Sequence, residues 1–322
     1  MMPTSNAPAL RVGVSALFDP GDTPHARTFL RALCVARNVL PGLQRVRWRF
    51  LDDGADAGRG AEVARQFIEW RADVVIGHFS SDAAMGAAEV YRQAGIPLLT
   101  PAATLDGLTQ QHANVFRFCP SDRQLAADLV DWLTGRKWQV VHVSADDSAH
   151  GQGLASAIAK TAAQAGLQRV AEREQAQVEV FAGRLRASRE HWQSRRAAGS
   201  KAPLVLTDDA ASMQLGSAPE GDDSTYVIGF GAADQAFGSG DAQLQALFNA
   251  PPETYYRESL LMLHVLAQLA TGAWRRHELL QALQTTRFDT PLGEVAFTRG
   301  ERHGVCTQLW RIGPAGLIPL SG

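Results

Sequence analysis

Apolar residues recur along this chain in two alternating rhythms. Residues 11–17 (RVGVSAL), 46–52 (VRWRFLD), 74–77 (VVIG) and 97–100 (PLLT) are short apolar or alternating runs that stop at polar, Gly or hydroxyl residues, and they predict strands. Between them, 24–39, 60–71 and 83–94 carry apolar residues at helical spacing, with Val63, Phe67 and Trp70 on the inward face of the second. Strands alternating with helices of this length predict βαβ units and a parallel sheet. The run 115–122 (VFRFCPSD) predicts a short strand and a turn into a helix over 123–134. The alternation then restarts. Strands are predicted over 140–144, 169–175, 203–207 and 225–230, a helix over 153–165 and a long arginine-rich helix over 178–198. Amphipathic helices over 253–272 and 277–285 follow, then a terminal hairpin of 293–297 with 305–312. The fold class is α/β with two lobes, divided near Pro120. The first lobe is expected to be 9–119 plus about 253–290, and the second 120–250 plus about 291–322. The hinge is expected at 118–122, with further crossings near 247–251 and 292–297.

The strands at 74–77 and 97–100 point at chemistry. Each apolar run ends in small hydroxyl residues: Gly77-His78-Phe79-Ser80-Ser81 after the first, Thr100-Pro101-Ala102-Ala103-Thr104 after the second. Residues past the C-terminal end of a buried parallel strand sit at the sheet rim, where open α/β folds bind ligands. Ser81, Thr104 and the backbone N–H groups of residues 102–104 would line a small polar pocket suited to a carboxylate. Ser81 and Thr104 also read as helix caps, a compatible role, since a helix N-terminus offers N–H groups to an anion. His78, among apolar neighbours, reads as a buried histidine bonded to backbone.

Composition narrows the classes. The chain of 322 residues is 45% hydrophobic and 20% charged, with net charge −2, which gives no basic face for nucleic acid. Its longest apolar stretch, 260–267, is too short to span a membrane. Three widely separated cysteines, Cys34, Cys119 and Cys306, fit no zinc or redox spacing and read as reduced core residues. Neither a metal nor a cofactor is expected: His303 and Cys306 lack a second pair, and Gly151-Gln152-Gly153 lacks the third glycine of a dinucleotide turn, Ser156 standing there instead. No hydrolase elbow, phosphate loop or metalloprotease motif occurs, so an enzyme is not expected. The arginines 184, 186, 189, 195 and 196 read as a solvated helix face. The N-terminus shows neither a basic nor an apolar leader region. A cytoplasmic location follows if Met1 is the native start, and a periplasmic one if a leader has been removed.

An ordered set of motifs resembles a known family. It comprises Asp52-Asp53-Gly54 with Ala61-Glu62-Val63-Ala64, and Val75-Ile76-Gly77-His78 with Ser80-Ser81. Thr100-Pro101-Ala102-Ala103-Thr104 with Leu108-Thr109 comes next, then Phe116-Arg117 with Pro120 and Asp122. His150-Gly151-Gln152-Gly153-Leu154 and Phe288-Asp289-Thr290-Pro291-Leu292-Gly293 with Phe297 and Gly300 complete it. The set resembles the branched-chain-amino-acid (leucine/isoleucine/valine) binding proteins of ABC transporters, over almost the full length. The resemblance implies a type I periplasmic binding protein fold: two Rossmann-like lobes joined by a multi-strand hinge. It implies a ligand carboxylate held at Ser81, Ala102, Ala103 and Thr104. His150 stands where the family places an aromatic that closes over the ligand. The family's acid for the ligand ammonium is displaced in the turn containing Asp234, and Asp208 and Asp209 are candidates to replace it. The second lobe reads as abbreviated, with 247–251 running directly into the 253–272 helix and only a stunted helix after Asp209.

Function follows from the resemblance. The implied partner is a small ligand, an amino acid or a related carboxylate or amide, with an ABC permease or a regulatory protein beyond it. The alternative is a cytoplasmic ligand sensor of the same fold with no transport role. Because imidazole titrates near pH 6.5, a protonated His150 would favour a ligand more polar or acidic than leucine, bound more weakly as pH rises from about 5.5 to 8.

Overall fold

Each half of the protein is built on the same strand order. The structure, a computed structural model, describes residues 9–19, 21, 24–230, 239–272 and 274–320. The first half runs β1 (Leu10–Ala16), α1 (His25–Val39), β2 (Val46–Asp52), α2 (Ala57–Glu69), β3 (Val74–Ile76), α3 (Ser81–Gln93), β4 (Leu98–Thr100), α4 (Asp106–Gln111) and β5 (Val115–Arg117). The second runs α5 (Asp122–Gly135), β6 (Val140–Ala145), α6 (Ala149–Gln164), β7 (Gln168–Arg169), β8 (Val178–Ala182), α7 (Leu185–Ala197), β9 (Leu204–Leu206) and β10 (Asp222–Phe230). After them come α8 (Ser239–Phe248), α9 (Tyr256–Thr271), α10 (Leu279–Thr285), β11 (Phe288–Thr290), β12 (Gly293–Val295), β13 (Phe297–Thr298), β14 (Glu301–Arg302), β15 (Thr307–Gly313) and β16 (Gly316–Pro319).

One seven-stranded sheet has the order β13-β14-β5-β4-β3-β1-β2, the other β16-β15-β10-β9-β8-β6-β7. The five parallel strands of each run second-first-third-fourth-fifth, so each lobe has a crevice where the order reverses, outside the carboxyl ends of its strands. The two α/β lobes expected from the strand–helix rhythm are present. The short apolar runs Val74–Ile76 and Leu98–Thr100 are buried on both faces, as parallel strands between helices are. Their register, Val75 with Leu98 and Ile76 with Leu99, brings the two following turns side by side.

Several sequence expectations are corrected. Residues 178–198 are not one helix: Val178, Val180 and Phe181 form the buried strand β8, and α7 begins after Gly183. The expected strand at 169–175 is the two-residue β7 followed by a 3-10 turn, Arg173–Gln175. A helix missing from the sequence reading, α8, packs on α1, with Arg31 lying 5.4 Å over the Phe248 ring. Residues 247–251, where a crossing was expected, instead link α8 to α9, both packed on α1; residues 231–238 lie outside the described set. The tail is not a simple hairpin of the second lobe. β12 pairs with β11, β13 and β14 extend the first sheet, and the chain crosses to β15 only at 303–306. Phe297 explains this: its ring packs edge-on to Phe116 and Phe118 at 5.2 and 5.1 Å, fixing β13 against the first lobe. Of the cysteines only Cys119 is buried; Cys34 is exposed because it falls on the outer face of α1.

Gly77 lets β3 turn towards the cleft. Its φ is +117°, and a Cβ there would lie 2.1 Å from the Ser15 carbonyl oxygen of β1. Gly77→Ala should therefore lower unfolding free energy by more than the ~1–3 kcal/mol that backbone strain alone costs. Gly95→Ala is the control, at φ +66° with nothing within 4 Å. Urea denaturation of both variants checks the order, and equal losses would refute the steric account.

Candidate functional site

The first-lobe side of the cleft is built by β3 and β4. Ser80, rather than Ser81, caps α3, its Oγ accepting from the Ala83 N–H at 3.4 Å. Ser81 Oγ accepts from the Leu105 N–H at 3.4 Å and so ties α3 to the neighbouring turn. Within that turn Thr100 Oγ1 accepts from the N–H groups of Ala103 and Ala102, at 3.0 and 3.4 Å. These two donors, expected to face a carboxylate, are occupied internally. Thr104 does not cap α4, whose N-cap is Leu105 without a side-chain bond. Behind the turn, the fully buried Arg117 donates to the carbonyls of Thr104 and Leu105, at 2.7 and 2.8 Å, and pairs with Glu301 of β14. His78 is buried as expected, but its partners are side chains: Asp53 Oδ2 at 2.8 Å and the Tyr91 hydroxyl at 3.0 Å. Burial raises the Asp53 pKa, but His78, Ser15 and the Ala55 N–H outweigh it and hold the carboxyl below its ordinary range.

The second-lobe side is built by β6 and β9. Ser148 caps α6 by accepting from the Gly151 N–H at 3.0 Å, which sets His150 in the first turn, facing the other lobe. β9 ends at Leu206 and passes through Thr207 into the 3-10 turn Asp208–Ala210, which buries both Asp208 and Asp209. This turn and the short 3-10 turn Met213–Leu215 stand where a longer helix was expected to be stunted.

The two sides meet directly. Thr104 Oγ1 lies 3.2 Å from His150 Nδ1, and His150 Nε2 lies 3.2 Å from Asp208 Oδ1. His25, at the start of α1, reaches Asp209 Oδ1 at 2.9 Å. The Tyr255 hydroxyl, just before α9, is 2.7 Å from both Asp208 Oδ2 and Asp209 Oδ1. Tyr255 adopts φ +66°, a conformation that costs a non-glycine residue about 1–2 kcal/mol. Arg184 donates to Asp82 at 2.9 Å and to the Ala55 carbonyl at 3.3 Å across the cleft mouth. The arginine cluster is paired as well as partly solvated: Arg186 reaches Asp19 in a half-exposed contact, Arg189 the Gly21 carbonyl, Arg195 Glu179 and Arg196 Asp222. His25, Phe79, Ser80, Ser81, Ala102, His150, Arg184 and Asp209 enclose a cavity of about 10 Å³, close to the room one water needs.

Charge within this interface is strongly perturbed. Burial alone would strip the proton from His150, but Asp208, Asp209 and Asp122 hold it, raising the pKa to about 10. Burial pushes Asp122 up to about 6, against the pull of His150 and Thr104. Burial also disfavours charge on Asp209, yet His25, His150 and Tyr255 draw its pKa well below the ordinary range. An imidazolium held this firmly does not titrate between about pH 5.5 and 8, so the pH dependence expected from free imidazole moves to alkaline pH.

Of the sequence-predicted residues, Ser81, Ala102, Thr104, His150, Asp208 and Asp209 converge here, with Ala103 behind the turn. Asp234 lies outside the described residues. His150 does not stack as an aromatic lid; it is a buried polar link. The sequence reading missed His25, Tyr255, Thr100 and Arg184. Tyr255 and His25 sit at helix starts, which the periodicity locates without showing what they face. No helix among the described residues is long and apolar enough to cross a membrane.

Known proteins match in two ways. A family model described as periplasmic binding protein matches residues 37–191. An amino acid binding protein of Pseudomonas aeruginosa is 36% identical over 112 residues, 33% of this chain and 29% of that protein. A Leu/Ile/Val-binding protein homolog 1 of Brucella melitensis is 38% identical over 109 residues, 32% of this chain and 29% of that protein. The matches thus span under a third of the length of these curated relatives. The fold similarity is wider. The branched-chain amino acid transporter substrate binding protein of Streptococcus pneumoniae, solved with isoleucine, superposes with TM-score 0.81 at 16% identity, over 97% of this chain and 100% of the other. A leucine binding protein of Thermotoga maritima gives TM-score 0.81 at 17% identity, over 97% and 98%. A solute binding protein of R. palustris in complex with benzoate gives 0.79 at 17% identity, over 97% and 96%. Residues 37–191 are thus similar in sequence to the periplasmic binding protein family, and 97% of the chain shares its fold with solved substrate-binding proteins of ABC transporters.

Proposed function

We propose that this protein binds a small solute, an amino acid or a related carboxylate or amide, by closing its two lobes, as the solute receptor of an ABC transporter does. One observation carries the reading: Ser81 of the first lobe and Asp209 of the second line a single enclosed cavity. Ser81 stands in the first turn of α3, whose N-terminus favours an anion, and Asp209 offers a carboxylate to a cation. Those are the two ends of a zwitterion. Asp208 and Asp209 supply the acid that the resemblance left without a fixed position.

The lining favours a polar ligand over leucine. Among the cavity residues, Phe79 and Ala102 are apolar while His25, Ser80, Ser81, His150, Arg184 and Asp209 are not. The closed geometry is too tight for any amino acid, since small-molecule sites enclose roughly 300–1,000 Å³. Binding therefore proceeds through hinge opening, with the ligand replacing the Thr104–His150 and His25–Asp209 contacts. As a receptor serving a permease the protein would work in the periplasm. The direct bonds between lobes favour a second reading, a ligand sensor whose closed state forms without transport.

A thermal-shift screen of amino acids, amides and small carboxylates at pH 7 should yield a polar ligand. Thr104→Val should then weaken it roughly 10- to 150-fold by calorimetry, the cost of one hydrogen bond to a charged group. Asp209→Asn should weaken ligands that carry an amine more than those that lack one. Tight leucine binding unaffected by either change would overturn the site, and an empty screen would overturn the receptor reading.

The raised His150 pKa gives a separate expectation. Its folded value of about 10 exceeds the ordinary ~6.5, so its contribution to stability is complete below about pH 6.5 and is lost as pH rises through about 10. The stability advantage of the native protein over His150→Gln, measured by urea unfolding, should shrink across that window by roughly a few kcal/mol. A constant difference from pH 6.5 to 10 would show that His150 is not held protonated.

A further inference from the structure

Three polar side-chain atoms in the lobe interface have no hydrogen-bond partner although all are buried: His150 Nε2, Asp208 Oδ1 and Asp209 Oδ2. Native proteins rarely leave such atoms unpaired, and each calls for an explanation. The three side chains present ligand atoms within 4.8 Å of one another. His150 Nε2 and Asp208 Oδ1 stand 3.2 Å apart without hydrogen-bond geometry. The opposite atom of each side chain is engaged. His150 Nδ1 faces Thr104 Oγ1 at 3.2 Å, Asp208 Oδ2 meets the Tyr255 hydroxyl at 2.7 Å, and Asp209 Oδ1 meets Tyr255 and His25 at 2.7 and 2.9 Å.

We propose that His150, Asp208 and Asp209 bind one divalent first-row metal ion, with zinc as the best-fitting member of the class. One imidazole nitrogen and two carboxylate oxygens suit such an ion better than calcium, which takes six to eight oxygens. A divalent cation would displace the proton that His150 otherwise holds, and the two carboxylates with the resulting neutral imidazole carry the charge that it cancels. Partners on the far atom of each ligand fix its orientation, as around established metal sites. Three protein ligands leave a fourth position, and the adjoining cavity of about 10 Å³ has room for a water there.

The ligands all belong to the second lobe, while Thr104 and His25 come from the first. Lobe closure therefore completes the support around the metal, and the metal in turn favours closure. The site stands apart from the solute-receptor reading, because its donors converge without any solute; a solute amine would compete for the same oxygens.

The test is calorimetric titration of the full, chelator-stripped chain with zinc chloride at pH 7, with bound metal counted by mass spectrometry after desalting. The native protein should hold one zinc per chain. Asp209→Asn and His150→Ala should lose at least 100-fold in affinity. Thr104→Val, which removes no ligand, should lose roughly 10- to 100-fold while keeping its circular dichroism and melting profile. A native chain that retains no zinc overturns the proposal. So do variants that bind as well as the native chain, which would place the metal on surface histidines. The solute screen in metal-free buffer fails or succeeds separately, so the two readings are told apart.

Discussion

Two adjacent carboxylates buried between the lobes impose the strongest constraint on this molecule. Asp208 and Asp209 occupy a buried 3-10 turn, and unpaired charge in such a place is very costly. Their polar partners come from three separate elements: His150 from α6, His25 from α1 and Tyr255 from the start of α9. Because these elements lie on both sides of the cleft, satisfying the carboxylates also sets how the lobes face each other. The left-handed backbone at Tyr255 follows from the same demand, since its hydroxyl reaches both acids at once.

A second buried charge organises the opposite rim. Arg117 ends β5, and its guanidinium holds the carbonyls of the turn that carries Thr104. Its counter-charge, Glu301, lies far along the chain on β14, and Arg302 beside it donates to the Phe118 carbonyl at 2.8 Å. The C-terminal segment is thus a buttress for the first-lobe pocket and the hinge, which is why β13 and β14 join the first sheet before the chain passes to the second.

Much of this was legible in the sequence, for reasons that also mark the boundary of what was not. The strands at Val74–Ile76 and Leu98–Thr100 were readable because burial on both faces demands an unbroken apolar run, and small hydroxyl residues stop it. Ser81 and Thr104 were locatable as residues following strands, and His150, Asp208 and Asp209 as positions that the family resemblance implied. Their contacts were not, because a rim position fixes which end of the sheet a side chain occupies and not what stands opposite. His25 illustrates the limit: its helix was plain from periodicity, yet its partner Asp209 is 184 positions away. Thr100 was overlooked because its hydroxyl serves its own turn, an inward use that local sequence cannot separate from a ligand-facing one. The helix α8 was lost because Pro251 and Pro252 close to its end read as a loop, and the C-terminal pairing because short strands of two or three residues carry no period.

For the proposed solute binding, the direct Thr104–His150 and His25–Asp209 bonds have a kinetic meaning. A protein that latches to itself presents its binding surface only in the minor, separated population. Observed affinity is then the intrinsic affinity scaled by that population. At high solute concentration the observed association rate would level off at the rate of spontaneous unlatching rather than climb with encounter frequency. Substitutions that loosen the latch would raise that ceiling without touching any group that contacts the solute, so affinity and speed of capture are adjustable separately in this fold.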